Sequence, residues 1–311
     1  MTAAILDPQT TEQGQKPIDT QRCGALLGTD SPAGPLLVGT HHRVTDGDPT
    51  SESGGRWLRD DQSSTAPALG PILADPSLAF AADVLDDLEK TRNANANRLR
   101  ILTRDEVDSD GEHRGFGLTE DHPDVAQMAA IVASLDGLVK EATKTLERRV
   151  RKHPLGPWIK AQRGVGDKTA GRLLAAIGDP YWNTLHDRPR TVSELWAFAG
   201  LHTNGESAAR RQRGVRANWS TVAKTRAWLV IEASMKQINP ACKRDDAIGV
   251  HEDGCGCSPY RIVIDERRQR TRETHPDWTP GHSLNDAMRI ASKELLKDLW
   301  IQARDLHHAS E

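Results

Sequence analysis

The stretch that decides the fold reads Ala161-Gln162-Arg163-Gly164-Val165-Gly166-Asp167-Lys168-Thr169-Ala170-Gly171-Arg172-Leu173-Leu174-Ala175-Ala176-Ile177-Gly178-Asp179. A short turn, Gly164-Val165-Gly166, separates two apolar-periodic segments, the pattern of a helix-hairpin-helix. Glycine adopts positive φ without penalty and lets another backbone come close. The helix that follows begins with unpaired N–H groups, which favour phosphate. Lys168 and Arg172 are four residues apart and share one face of it. The expectation is a grip on a nucleic-acid backbone by Gly164, Gly166, Lys168 and Arg172, with no base reading implied.

Charge is distributed to match. The net charge of −3 hides a segregation. Residues 158–236 carry 13 basic and 6 acidic side chains, whereas residues 1–75 carry 5 and 10, residues 76–157 carry 12 and 15, and residues 237–311 carry 11 and 13. Local charge governs binding to a polyanion, so a near-neutral total does not exclude nucleic acid. No apolar run reaches the length of a membrane span, and the N-terminus lacks a basic-then-apolar leader pattern. Four cysteines are too few for a disulfide-built scaffold of 311 residues. A cytoplasmic protein without membrane contact is expected.

Working outward, residues 1–75 are rich in Gly, Pro, Ser, Thr and Asp, show no sustained period, and are expected to be disordered. Residues 76–157 form a second region. A helix is expected from Ser77 as N-cap, interrupted at Asn93 to Asn97. Pro123 opens a long helix that Pro154 and Pro157 end. The readings that stay open for this pair are an antiparallel coiled-coil hairpin, a dimerisation arm through which the chain oligomerises, or helices packed on the next domain. The third region, residues 158–311, is densely helical. Helices are expected at Val192 to Phe198, Thr221 to Gln237, Pro259 to Thr274 and Ser283 to His307. A cysteine-bearing insertion occupies 240–259. With no strand series, the fold class is all-α or predominantly so.

Two groups of residues carry chemistry. In the basic loop from His202 to Asn218, Arg210, Arg211, Arg213 and Arg216 fall within seven positions. Guanidinium forks bind phosphate oxygens in pairs. Ser207 lies just ahead of them, where surrounding positive charge favours an alkoxide, so attack on a phosphodiester is one reading and a turn cap or plain phosphate contact the other. In the insertion, Cys242, His251, Cys255 and Cys257 offer thiolates and an imidazole suited to tetrahedral Zn²⁺, against the alternative of reduced, unliganded cysteines. His275 and His282 are alternates for His251. Among the tryptophans, Trp219 is the candidate for base stacking, while Trp196 and Trp228 have core settings. Asp167, Asp179 and Asp187 read as metal ligands, helix caps or solvated surface.

These residues, taken in order, resemble the carboxy-terminal domain of the transposases of insertion sequence 110 and its relatives 116 and 902. The resemblance rests on Gly164-Val165-Gly166, Thr169-Ala170, Leu173-Leu174-Ala175, Ile177-Gly178-Asp179 and Phe198-Ala199-Gly200-Leu201. It continues through Ser207, Gly214, the Ala/Leu-rich stretch Ala227 to Ala233, and Gly281, Ala287, Ala291, Lys293 and Leu295-Leu296. It covers about 158–304. It implies DNA transposition or recombination, with Ser207 as the strand-transferring nucleophile, a RuvC-like domain holding Mg²⁺ on four acidic residues, and a guide RNA as partner. The chain departs from the pattern at Ala208, where glycine is usual, and at Arg163, where proline is common. Residues 1–75 lack the strand-borne Asp that starts a RuvC-like fold; Asp46 and Asp48 stand in a Gly/Pro/Thr-rich region instead. The alternative is a non-catalytic helix-hairpin-helix DNA- or RNA-binding protein derived from a transposase.

Overall fold

A computed structural model describes residues 70–205, 207–243 and 248–310. The expectation of disorder for 1–75 therefore falls almost wholly outside the described residues. Eight α-helices and three two-residue β-ladders make up the described chain, in agreement with a predominantly helical class.

Helix α1 spans Pro76–Thr103. Its cap is Asp75 rather than Ser77: one carboxylate oxygen accepts the N–H groups of Ser77 at 2.8 Å and Leu78 at 3.1 Å. Proline fits at the first helical position because its missing N–H has no partner there anyway. The expected break at Asn93 to Asn97 does not occur. Asn95 Nδ2 turns back to Thr91 O at 2.9 Å, Arg98 donates to Asn95 Oδ1 at 2.8 Å, and Arg92 pairs with Asp136 at 2.7 Å. That last partner lies on α2, Pro123–Lys152, which runs back along α1. Between them β1, Glu106–Val107, pairs antiparallel with β2, His113–Arg114.

The two helices lie along each other and pack in part on the rest of the described chain. Leu78, Ala81, Ala82 and Leu85 of α1 and Leu146 and Val150 of α2 are buried in the common core. Ile101 of α1 and Ile131 and Leu138 of α2 remain exposed.

The remaining elements enclose that core. Helix α3, Gly156–Ala161, leads through the glycine turn into α4, Asp167–Ile177. A ladder of β3, Trp182–Asn183, with β4, Arg188–Pro189, follows α4. Helix α5, Val192–Phe198, starts with a reciprocal capping box between Thr191 and Glu194. A tight hairpin of β5, Thr203–Asn204, and β6, Ser207–Ala208, opens the basic loop. Helix α6, Thr221–Met235, and α7, Pro259–Thr274, pack beside α8, Pro280–His308. Helix α8 starts three residues before the expected Ser283, because Thr279 Oγ1 caps it by accepting His282 N–H at 3.2 Å. It supplies much of the core through Met288, Leu295, Leu296 and Leu299.

The glycine turn faces inward. Gly164 has φ 89°, and a Cβ there would lie 2.9 Å from Ser234 Cα on α6. Ser234 Oγ donates to Gly164 O at 3.1 Å. The glycine thus makes room for the protein's own helix. Asp179, expected at a cap or on the surface, is buried. It accepts N–H groups from Leu73 at 3.1 Å, Tyr181 at 2.9 Å and Trp182 at 3.2 Å, and contacts His307 Nε2 at 2.7 Å. A buried carboxylate persists only with such a full set of donors.

Candidate metal centre and nucleic-acid interface

The cysteine insertion folds into a compact donor set. A 3-10 turn at Pro240–Cys242 follows α6 and places Cys242 in the interior. The chain returns so that Val250 N–H reaches Cys242 O at 3.1 Å, then carries His251, Cys255 and Cys257 before Ser258 begins α7. One ligand atom from each of Cys242, His251, Cys255 and Cys257 lies within 4.8 Å of the others. A tetrahedral Zn²⁺ with Zn–S bonds of about 2.3 Å separates its ligands by roughly 3.7 Å. Cys255 Sγ and His251 Nδ1, at 3.6 Å, already stand at that spacing. The cluster is suited to a metal such as zinc.

Its surroundings are those of a metal site. His251 Nδ1 faces the sulfur atoms, and His251 Nε2 contacts Asp265 Oδ2 at 2.9 Å. Such a carboxylate fixes ring orientation and raises ligand basicity. Asp265 is fully buried on α7 and also accepts from Arg261 Nε at 2.5 Å. Gly249 permits this approach: a Cβ there would lie 2.5 Å from Asp265 Oδ2 and 2.7 Å from His251 Nε2. Asn239 N–H donates to Cys257 Sγ at 3.1 Å. The backbone N–H of Cys257, with His251 and the neighbouring thiols, brings the Cys255 thiol down to about 7, while burial and the adjacent sulfurs push Cys242 up to about 11. Thiolate character is what a metal requires. His275 and His282, the alternates for His251, instead stack on either side of Trp278, with ring centroids 4.2 and 4.5 Å away.

The cations named from the sequence divide into two groups. Lys168 and Arg172 do share a face of α4, but that face lies against α1. Lys168 Nζ is 2.6 Å from Glu89 Oε1, and Arg172 Nη2 is 2.6 Å from Glu89 Oε2 and 3.0 Å from Asp86 Oδ1. Arg226 of α6 also pairs with Asp86. Arg172 is only 9% exposed. Burial alone would raise the Glu89 pKa, but hydrogen bonds and charge from Lys168 and Arg172 outweigh it and hold the carboxylate below its ordinary range. The α4 start is occupied in the same way, since Asp167 pairs with Arg151 at 2.7 Å. Lys168 and Arg172, named for a phosphate grip, thus lie in internal ion pairs, and Gly164 packs against α6.

Arg210, Arg211, Arg213 and Arg216 are different. All four are exposed, and among the described residues none has a carboxylate within 4.0 Å. Ser207 is exposed on β6, opposite Asn204. No described side chain hydrogen-bonds its hydroxyl. The base of the loop is fixed: Ala209 is buried, its N–H reaches His202 O at 3.1 Å, and Lys224 Nζ donates to Ala209 O at 2.8 Å. Trp219, the stacking candidate, packs over Gly200 and carries Lys224 Nζ 4.6 Å from its ring centroid. Trp196 and Trp228 are half-buried against the core, as their settings predict.

Sequence reading missed Asp265, Gly249 and the pair Asp86 and Glu89. Asp265 was detectable in principle, since it follows Ile264 on the buried side of a helix and stands four residues after Arg261. Nothing local marks Asp86 or Glu89. Among the described residues the Cys/His cluster is the sole grouping of His, Cys, Asp and Glu with metal-ligand geometry. The Mg²⁺ implied by the resemblance therefore has no fitting carboxylate set there, and Asp46 and Asp48 lie outside the described residues. No described helix is long and apolar enough to cross a membrane. Comparison with protein-family models, curated proteins and solved structures gives no match for this chain.

Proposed function

We propose that this chain binds the sugar–phosphate backbone of nucleic acid, DNA foremost, through the arginine loop, on a helical body stapled by one structural Zn²⁺. The carrying observation is the contrast in pairing: Arg210, Arg211, Arg213 and Arg216 are exposed without described carboxylate partners, while Lys168, Arg172 and Arg226 are neutralised within the fold. Guanidinium groups on an anchored loop retain their forks for phosphate oxygens and release counterions on binding. Cys242, His251, Cys255 and Cys257 would hold Zn²⁺ as a structural ion with four protein donors, tying the end of α6 to the start of α7. The glycine turn between α3 and α4 motivates the helix-hairpin-helix reading of residues 156–177, though Lys168 and Arg172 there are paired with α1.

A second reading adds chemistry. The resemblance to insertion-sequence transposases makes Ser207 a nucleophile, and its exposure beside the arginines supports that. Its hydroxyl oxygen would form an ester to phosphorus as the strand's own oxygen leaves with a proton. The activating base, the acidic domain and any guide RNA would come from outside the described residues. Self-association of a second copy would involve the outer ends of α1 and α2, where Ile101, Ile131 and Leu138 are exposed.

The test is fluorescence anisotropy of a short labelled duplex across a salt series. With Arg210, Arg211, Arg213 and Arg216 all changed to alanine, the logarithmic salt slope should fall by about 3–4. Unchanged affinity and slope would place the nucleic acid elsewhere. A denaturant-resistant protein–DNA adduct that disappears in Ser207→Ala would establish the second reading, and its absence with nicked and branched DNA would remove it.

A further inference from the structure

The arginine loop is joined through Lys224 to a second group of cations. Lys224 lies in the first turn of α6, and α6 packs beside α8. On α8, Arg289 and Lys293 are one turn apart and share a face. Lys224 Nζ sits 4.6 Å from the Trp219 ring centroid, and Lys293 Nζ 4.1 Å from that of Trp196. Each half-buried ammonium is therefore laid on an indole instead of a carboxylate.

The nearby acids are already committed. Asp286 is shared between Arg267 at 2.6 Å and Arg289 at 3.0 Å, and Glu294 pairs with Lys297 at 2.9 Å. Among the described residues neither Lys224 nor Lys293 has a carboxylate within 4.0 Å. The first turn of α6 holds no acidic residue, so the positive end of its dipole adds to the field. Burial lowers the pKa of both lysines, and the neighbouring Arg289 charge lowers it further; for Lys293 the charge of Glu294 opposes this. Lys224 and Lys293 thus stand without a carboxylate partner beside Arg289, which shares Asp286 with Arg267, and half-buried positive charge so placed favours an anion.

We infer that Lys224, Arg289 and Lys293 form a second phosphate-binding station, continuous with the arginine loop, for the backbone of the same polynucleotide. This rests on the nucleic-acid reading of the loop. The Ala209 carbonyl, held by Lys224, sets the loop's first arginine beside the station. A strand gripped at Arg210 would thus continue across the start of α6 onto α8, with Trp196 and Trp219 beneath the lysines as apolar walls.

The experiment compares wild type, the quadruple arginine-to-alanine variant, and Lys224→Gln/Lys293→Gln, using the duplex assay and thermal unfolding with inorganic pyrophosphate. The glutamine variant should bind duplex about 5- to 10-fold more weakly with a salt slope smaller by about 2. Lys224→Arg/Lys293→Arg should restore both. Pyrophosphate should raise the melting temperature of wild type and of the arginine-to-alanine variant, but not of the glutamine variant. If the glutamine variant binds duplex like wild type while the arginine variant is weakened, the station is wrong and the loop reading stands. If the arginine variant binds like wild type, the loop reading fails. Pyrophosphate then decides the station alone: equal stabilisation of wild type and glutamine variant overturns it. Should the double variant unfold, Lys293→Gln alone is read against the same outcomes.

Discussion

Two cationic regions of this protein look alike in sequence and behave oppositely in the fold. On α4, Lys168 and Arg172 flank a glycine turn and a helix start, yet both end on Glu89, with Asp86 adding to Arg172. In the loop after β6, Arg210, Arg211, Arg213 and Arg216 have no helix face to share, and they stay exposed. Cations that help close a core lose their availability to a ligand. Cations on a loop anchored only at its base keep it. The comparison teaches that a basic motif predicts binding only after the protein's own carboxylates have been placed.

The largest effect should come from removing the body that holds both regions. Stripping zinc with a strong chelator, or changing Cys257→Ser, should lower the melting temperature on the order of 10 °C. Metal analysis of purified protein should show about one zinc per chain; none would remove the staple. The turn at Gly164 packs on Ser234 near the end of α6, so the loss should reach α4 before the arginine loop.

Next is the reciprocal pair of variants. Arg172→Ala should cost about 2–3 kcal/mol in denaturant unfolding, because Asp86 and Glu89 lose a nearly buried partner. That is below the full cost of a buried pair, as those acids remain 35% and 27% exposed at their side chains. Duplex affinity should be unchanged. The quadruple arginine variant should show the reverse, with stability within about 0.5 kcal/mol of wild type and a large loss of affinity. If both variants lose affinity equally, the division between the regions is broken.

A smaller effect should follow at Gly164→Ala, about 2 kcal/mol, from positive φ and the clash with Ser234 Cα. It should leave the salt slope alone, since this glycine faces the interior. The smallest is a pH effect. Lys168 and Arg172 depress the Glu89 carboxyl, so its stabilisation is complete above the unfolded carboxylate pKa near about 4.3 and is lost as pH falls through the lower folded value. Glu194, held down to about 2 by Arg188 and the Thr191 backbone, behaves in the same sense. Glu89→Gln should lower stability at neutral pH and flatten the acid limb of the stability profile. An unaltered acid limb would mean that this pair contributes nothing net.

Legibility followed the range of the forces involved. The ends of α5, α6 and α7 were readable within two residues, because caps, prolines and apolar spacing act locally. The break expected at Asn93 to Asn97 failed because the Asn95 side chain bonds back to the helix and a partner helix supports it. The Cys/His set was readable from residue type alone, while its Asp265 support and the preference for His251 over His275 or His282 required the closure of the insertion onto α7.

The sequence by itself determined a helical protein with a cationic middle and a Cys/His donor set, because periodicity, capping and ligand chemistry are properties of neighbouring residues. Only the tertiary structure decided which cations face outward. Glu89, which pairs with both, stands 79 positions from Lys168 and 83 from Arg172 along the chain, and they meet only when α1 packs on α4.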